Sequence, residues 1–258
     1  MKKSGSAGRW VYLVLILVFL YAPIAVLILY SFNESRTMGN WTGFSLRWYE
    51  ALLQDSSLMS ALGVTLSIAV ISAVVATVLG TAAAIGIQNM RKTPRRLVES
   101  VSQLPMVNPD LVTGISLMML FVFLGIRNSY VRLLIAHITF NLPYVIFAVL
   151  PRLRKSSGQL YEAALDLGCR PIQAAMKVLI PEALPGIISG ALLSFTMSID
   201  DFIISYFVGG DVNNLSMEVF GSARRHVSPS MYALSAIMFL AVLALLIIIN
   251  RRSSLEDV

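Results

Sequence analysis

Of the 258 residues, 57% are apolar and only 13% charged, whereas a soluble domain carries about 25% charged residues. The net charge of +6 is spread over the segments between apolar runs, which is the pattern of membrane topology and not of a nucleic-acid surface. A single cysteine, Cys169, excludes an intrachain disulfide. The expected fold class is all-α, a polytopic membrane protein with six transmembrane helices in a single domain over residues 1–258.

Residues 1–9 are polar, with Lys2, Lys3 and Arg9. Residues 10–31 are apolar and long enough to cross a hydrocarbon core ~30 Å thick. The run contains Pro23 and is followed by no small-x-small cleavage site, so it is read as a retained first helix and not as a signal peptide. Residues 32–61 carry Trp41, Phe44, Trp48 and Tyr49, side chains that favour the membrane–water boundary. A short helix over 46–53 fits that surface.

The second span covers 62–87, with Gly80 and Gly86 allowing close helix approach. Arg91, Lys92, Arg95 and Arg96 then form a basic turn. The third span, 97–124, is interrupted by Pro105 and Pro109. Asn108-Pro109-Asp110 reads as a helix start, with a cap, a proline and an acid. The fourth span, 131–150, is followed by Arg152, Arg154 and Lys155. The fifth, 184–208, contains Asp200 and Asp201, and the sixth covers 231–250 before Arg251 and Arg252.

Six spans place both termini on one side. With the turn at 91–96 and the segment 152–177 on that side too, it holds 14 of the 20 lysines and arginines, and the opposite side holds 6. The positive-inside rule makes the first side cytoplasmic.

Between the fourth and fifth spans lies a polar loop, residues 156–181. Ser156 and Gln159 have capping-box spacing, and Glu162 sits near the helix start where the dipole favours negative charge. Gly168 is a natural stop, since glycine adopts positive φ without strain. Pro171 suits the first turn of a second helix and Pro181 its end. The pattern is a short helix, a glycine bend and another short helix.

Catalytic motifs are absent from the sequence. There is no GxxxxGK[ST] phosphate loop, HExxH, CxxC or GxSxG. His137 and His226 are far apart and suggest no metal site; His137, on an apolar span, reads as a packed side chain. Energy for uphill transport has to come from a partner or an ion gradient.

Glu162-Ala163-Ala164, Gly168 and Val178-Leu179-Ile180-Pro181 stand at the spacing EAA-x3-G-x9-I-x-L-P. This resembles the EAA loop of bacterial ABC-importer permeases, with Val178 for the usual Ile and Ile180 for the usual Leu. Ser31-Phe32-Asn33, Trp41 with Gly43-Phe44, Trp48-Tyr49, Asn108-Pro109-Asp110 and Ser198-Ile199-Asp200-Asp201-Phe202 follow in matching order. Together they are similar to spermidine/putrescine transport permeases, the PotC-like subunits best, over nearly the whole chain.

The resemblance implies a MetI-like permease in the bacterial inner membrane, paired with a second homologous permease. Two copies of a cytoplasmic ATPase would dock on the EAA loop, through Glu162, Ala163, Ala164, Gly168 and Pro181, and a substrate-binding protein would deliver the solute. ATP and Mg would be held by the ATPase; this chain would bind no cofactor and be no enzyme. A permease for another small solute (an amino-acid derivative, ferric ion or an anion) and a secondary transporter are the alternative readings; the second leaves the EAA spacing unexplained.

A path for a polyamine needs carboxylates and aromatic faces. Asp110, Asp200 and Asp201 are the acids well inside the spans, and Phe202 and Tyr206 lie beside the pair. The bland alternatives are that Asp201, at capping-box spacing from Ser198, caps a broken helix, and that Asp110 serves the helix start after Pro109. At 1.5 Å per residue, the pair lies roughly 24–26 Å along the fifth span and Asp110 roughly 20 Å along the third. A solute entering from outside would then meet the pair first and Asp110 later.

Overall fold

The structure is a computed structural model that describes residues 4–36, 40–155, 158–225 and 228–256. The expected cap at Ser156 and the residue His226 lie outside these residues. The elements are all helical: α1 (Ser4–Ser31), α2 (Arg47–Gln54), α3 (Ser56–Gln88), α4 (Lys92–Val107), α5 (Asp110–Phe123), α6 (Ser129–Lys155), α7 (Gly158–Asp166), α8 (Pro171–Ala174), a π-helical turn (Ala175–Leu179), α9 (Ile180–Asp200), α10 (Ile203–Val208), α11 (Leu215–Arg225) and α12 (Pro229–Glu256). Among the described residues the one β feature is an isolated antiparallel bridge, Asn33–Phe44.

Four stretches are long and apolar enough to cross a membrane: Gly8–Ser31, α3, α6 and the continuous helix Pro171–Asp200. The pair α4 and α5 makes a fifth if counted as one broken span. The apolar start of α12, Pro229–Ala244, is shorter. This inventory is compatible with six spans.

The chain divides into two compact units, Met1–Met59 with Val219–Val258, and Ser60–Glu218. In the first, α12 packs along α1 and α2. The short helix expected over 46–53 is α2, which buries Trp48 and Leu52. The connection ahead of it is tightly held. Trp48 Nε1 donates to the Asn33 carbonyl at 2.6 Å, and Asn33 Oδ1 accepts from the Thr42 amide at 3.0 Å. Phe32 stacks on Phe44, with ring centroids 5.3 Å apart.

In the second unit, α6 is the axis. One apolar cluster joins α3 (Ala76, Ala84, Ile87), α6 (Val145, Val149, Leu153), the π-helical turn (Leu179) and α9 (Ala183). Another joins Ile68, Leu117, Phe121, Leu133, Phe140, Ile204 and Val208. α9 meets α6 through small residues four apart: Gly186, Gly190, Ser194 and Ser198 are all buried. This spacing keeps one helix face narrow so that backbones approach. A β-carbon at Gly186 would stand 2.8 Å from the Ala148 carbonyl oxygen, and one at Gly190 3.2 Å from Val145 Cα.

Three expectations are corrected. Pro181 does not end the second loop helix. A proline lacks the amide and its ring crowds the carbonyl four residues back. Here the π-helical turn widens the spiral, with the Ile180 amide donating to the Ala175 carbonyl, and the helix runs on to Asp200. The third span is not straight: α4 and α5 meet at 103°. Pro109 drives the residue before it out of the helical region, and Asn108 sits at ψ 135°. Asn108 is therefore the C-cap of α4 and not a cap for α5, and its side-chain amide donates to Thr113 Oγ1 at 3.1 Å. The linear count that separates Asp110 from the Asp pair does not survive this bend. Finally, the fifth span is broken after Asp200.

The Gly186 contact is with backbone, which cannot yield as a side-chain tip does. Gly186→Ala is expected to lower stability by about 1–3 kcal/mol through overpacking. Gly63→Ala in α3, where a β-carbon meets nothing within 4 Å, should be neutral or stabilising. Thermal unfolding of the two variants in detergent checks the contrast.

Candidate functional site: a broken helix, an acidic cavity and the EAA loop

A helix that restarts inside an apolar bundle presents amides with no water to satisfy them. At the α9–α10 break Asp201 supplies the acceptors. Its Oδ1 takes the Ile204 amide at 3.2 Å, and Oδ2 takes the Ser205 amide at 2.8 Å and the Ser205 hydroxyl at 2.6 Å. The Ser205 hydroxyl, having given its proton to Asp201, accepts from Asn214 Nδ2 at 2.8 Å and faces His137 Nε2 at 3.0 Å. Since that oxygen's proton is committed, His137 must be the donor, which fixes the proton on Nε2 and leaves Nδ1 bare. His137 Nδ1 has no partner among the described residues. His137 Nε2 is also 3.6 Å from Asp201 Oδ2.

Asn214 links this cluster onward. Its Oδ1 accepts from the Met217 amide at 2.9 Å, capping α11, while Nδ2 also reaches the Asp201 carbonyl at 3.2 Å. One turn back on α9, Ser198 does not cap the break as its spacing from Asp201 proposes. Its hydroxyl instead takes a bond from Asn141 Nδ2 at 2.7 Å and pairs with Ser72 Oγ at 2.9 Å. The network therefore ties α3, α6, α9, α10 and α11 together. The sequence places Asp201 on the candidate path and offers a cap only as the alternative; Ser205, Asn214, Asn141 and Ser72 it does not single out. Asn214 ahead of an apolar stretch, with Glu218 following, is the one available signal, a helix start.

The break opens onto a cavity of about 330 Å³ lined by Asp110, Phe140, Met197, Asp200, Asp201, Phe202, Ile203 and Ile204. Four of the five residues expected along the path thus line one space. Asp110 comes from the first turn of α5 because of the 103° bend. The carboxylates of Asp110 and Asp200 have no hydrogen bond or ion pair among the described residues, and both residues are exposed. Tyr206, the fifth, is 57% exposed and outside the lining, but its ring packs on Phe202 with centroids 5.6 Å apart. The aspartate pair is therefore divided, with Asp201 occupied by the break and Asp200 free.

The EAA segment forms a helix, a bend and a second helix. Glu162 and Ala163 are exposed on α7, and Ala164 is half-buried. Gly168 has φ +88°. The Gly168 amide donates to the Leu165 carbonyl at 2.9 Å and the Cys169 amide to the Ala164 carbonyl at 3.0 Å, the paired bonds of a glycine-terminated helix. A β-carbon at Gly168 would meet nothing within 4 Å, so its backbone angle and not crowding requires glycine. The α8 start is held by Gln173 Oε1, which accepts from the Arg170 amide at 3.2 Å. Tyr161 of α7 packs against the α3–α6–α9 cluster, leaving the Glu162 side of the loop exposed.

Comparison with known proteins bears on what this arrangement belongs to. Residues 76–253 match the family described as the binding-protein-dependent transport system inner membrane component. The chain belongs to that family. It is 40% identical over 245 residues to the putrescine transport system permease protein PotI of Escherichia coli K12, covering 92% of this chain and 87% of the relative. It is 38% identical over 244 residues to the spermidine/putrescine transport system permease protein PotC of the same organism, covering 94% and 92%. Among solved structures, a bacterial ABC transporter for import of the acidic polysaccharide alginate superposes with TM-score 0.72 at 16% identity, over 98% of each chain. An amino acid ABC transporter superposes with TM-score 0.60 at 20% identity, over 80% of this chain and 98% of its own. These two likenesses carry the fold, which is that of ABC-importer permeases.

The division between the two aspartates has a measurable consequence. Asp201→Asn turns an oxygen that accepts two bonds into a potential donor, and should destabilise the protein by about 1–3 kcal/mol. Asp200→Asn should leave the unfolding temperature unchanged. Thermal unfolding of the purified variants distinguishes them.

Proposed function

We propose that this chain is a translocating permease subunit of a bacterial ABC importer for polyamines. The observation that carries this reading is the convergence of two unpartnered carboxylates, Asp110 and Asp200, with the rings of Phe140 and Phe202 on one cavity. A polyamine is a flexible apolar chain carrying several ammonium groups. Carboxylates attract the ammonium groups, and ring faces accept both cation and methylene. The relatives named for putrescine and spermidine transport support the same substrate class.

The remaining parts follow from the family. The chain sits in the inner membrane with both termini cytoplasmic and pairs with a second homologous permease. A substrate-binding protein delivers the solute from outside. Two copies of an ATPase dock from the cytoplasm on the segment displaying Glu162, Ala163 and Ala164, bent at Gly168, with Pro181 set in the helix behind it. ATP and Mg are held by the ATPase, and the permease supplies the path.

Uptake by the assembled importer in liposomes tests both halves. Asp200→Asn and Asp110→Asn should each lower spermidine or putrescine uptake roughly tenfold or more, as expected for a lost charge-assisted contact, with assembly intact. Normal uptake in both variants would remove these acids from the path. Gly168→Val places a branched side chain at φ +88°, at a cost of about 1–2 kcal/mol to the bend. It should weaken recovery of the ATPase with the permease, and unchanged recovery and uptake would sink the docking reading.

A further inference from the structure

The α4 helix carries three basic residues, Lys92, Arg95 and Arg96, and one acid, Glu99. It buries no residue of its own, so apolar packing alone does not fix its position. Glu99 Oε1 accepts from Arg95 Nε at 2.8 Å on the same helix and from Arg154 Nη2 on the last turn of α6. Arg95 in turn donates to Gln88 Oε1, the last residue of α3, at 3.0 Å. Glu99 is 19% exposed and Arg154 44%. Beside it, Val98 packs on the same cluster that holds Leu153 and Tyr161. Tyr161 belongs to α7, next to Glu162.

We propose that Glu99 is a positioning residue that clasps α4 to the end of α6, so that movement of the EAA loop passes along α4 to the α4–α5 bend and the acidic cavity. This rests on the docking reading given above. The geometry makes α4 a lever. Glu99 and Val98 hold it at mid-length beside the loop, as a fulcrum; its C-terminal half runs free to Asn108, where the chain turns 103° into Asp110. Isolated half-exposed ion pairs add little to stability. The value of this one lies in where it holds α4, and its loss should spare the fold. Arg154→Gln is the clean probe, because Glu99 keeps Arg95 as partner and no carboxylate is orphaned.

The experiment measures ATPase recovery, ATP hydrolysis and polyamine uptake for the assembled importer in liposomes. Arg154→Gln and Glu99→Gln should keep recovery and hydrolysis within about twofold of the parent and lower uptake per ATP roughly tenfold. Arg154→Lys, which keeps the charge, should restore uptake per ATP to within about threefold. Uptake per ATP within about twofold of the parent in both Gln variants would overturn the proposal. So would a loss explained by less assembled complex, with unchanged uptake per ATP in what remains. Gly168→Val in the same assay reports separately on docking: retained ATPase recovery there defeats the docking reading, and with it the source of movement assigned to α4.

Discussion

Backbone amides cannot be left bare inside an apolar bundle, and the second unit of this protein is arranged around one place where they would be. Stopping α9 at Asp200 and restarting the chain as α10 at Ile203 creates new helix-end donors on buried residues, Ile204 and Ser205. Asp201 absorbs the Ile204 and Ser205 amides, and the Ser205 hydroxyl completes its shell. Asn214 and His137 then saturate the hydroxyl from the start of α11 and from α6. A break that would otherwise loosen the bundle becomes a junction of three segments. The residue before it, Asp200, is released from structural duty and lines the cavity.

That junction needs α6 and α9 in one register, which the small residues of α9 supply. Gly186 and Gly190 admit the α6 backbone, and the same face, continued four residues at a time, brings Ser198 against Asn141 and Ser72. The face changes from packing to hydrogen bonding without changing direction. The helix Pro171–Asp200 is continuous, so one rod begins at the EAA loop and ends at the cavity. The π-helical turn at Ala175–Leu179 lets Pro181 sit inside that rod. Loop and cavity, far apart in the chain's chemistry, are thus two ends of one element.

The EAA loop was legible because its rules are local. A glycine stop and a proline start each act within a few residues, and Gly168 at φ +88° is what such a pattern requires; the acid expected near the first turn, Glu162, falls beyond it. The acids were legible for another reason, since charge is rare in apolar spans and each instance stands out. What failed was geometry that depends on neighbours. Pro181 was read as a stop because a proline in an isolated helix is one, and the wider turn that accommodates it leaves no mark on composition. The turn at Asn108-Pro109 was recognised as an interruption, but nothing local sets its angle at 103°. Ser198 was matched to Asp201 by spacing, whereas its partners Asn141 and Ser72 lie 57 and 126 residues away. Polar pairings between helices follow from packing register, which a single sequence does not display.

The bend and the break together determine how much charge the cavity offers. On a straight third span Asp110 would stand apart from the pair and three carboxylates would be strung out along the path. In the structure three acids share one space, but Asp201 already accepts three bonds at its oxygens, so two remain open. At an effective dielectric near 20, opposite unit charges about 4 Å apart attract by about 4 kcal/mol. For the polyamine proposed above, Asp110 and Asp200 would offer two such contacts. A third free carboxylate would deepen the well and slow release, and transport requires departure as well as arrival. By committing Asp201 to the helix break, the fold repairs its backbone and leaves Asp110 and Asp200 as the open carboxylates of the cavity.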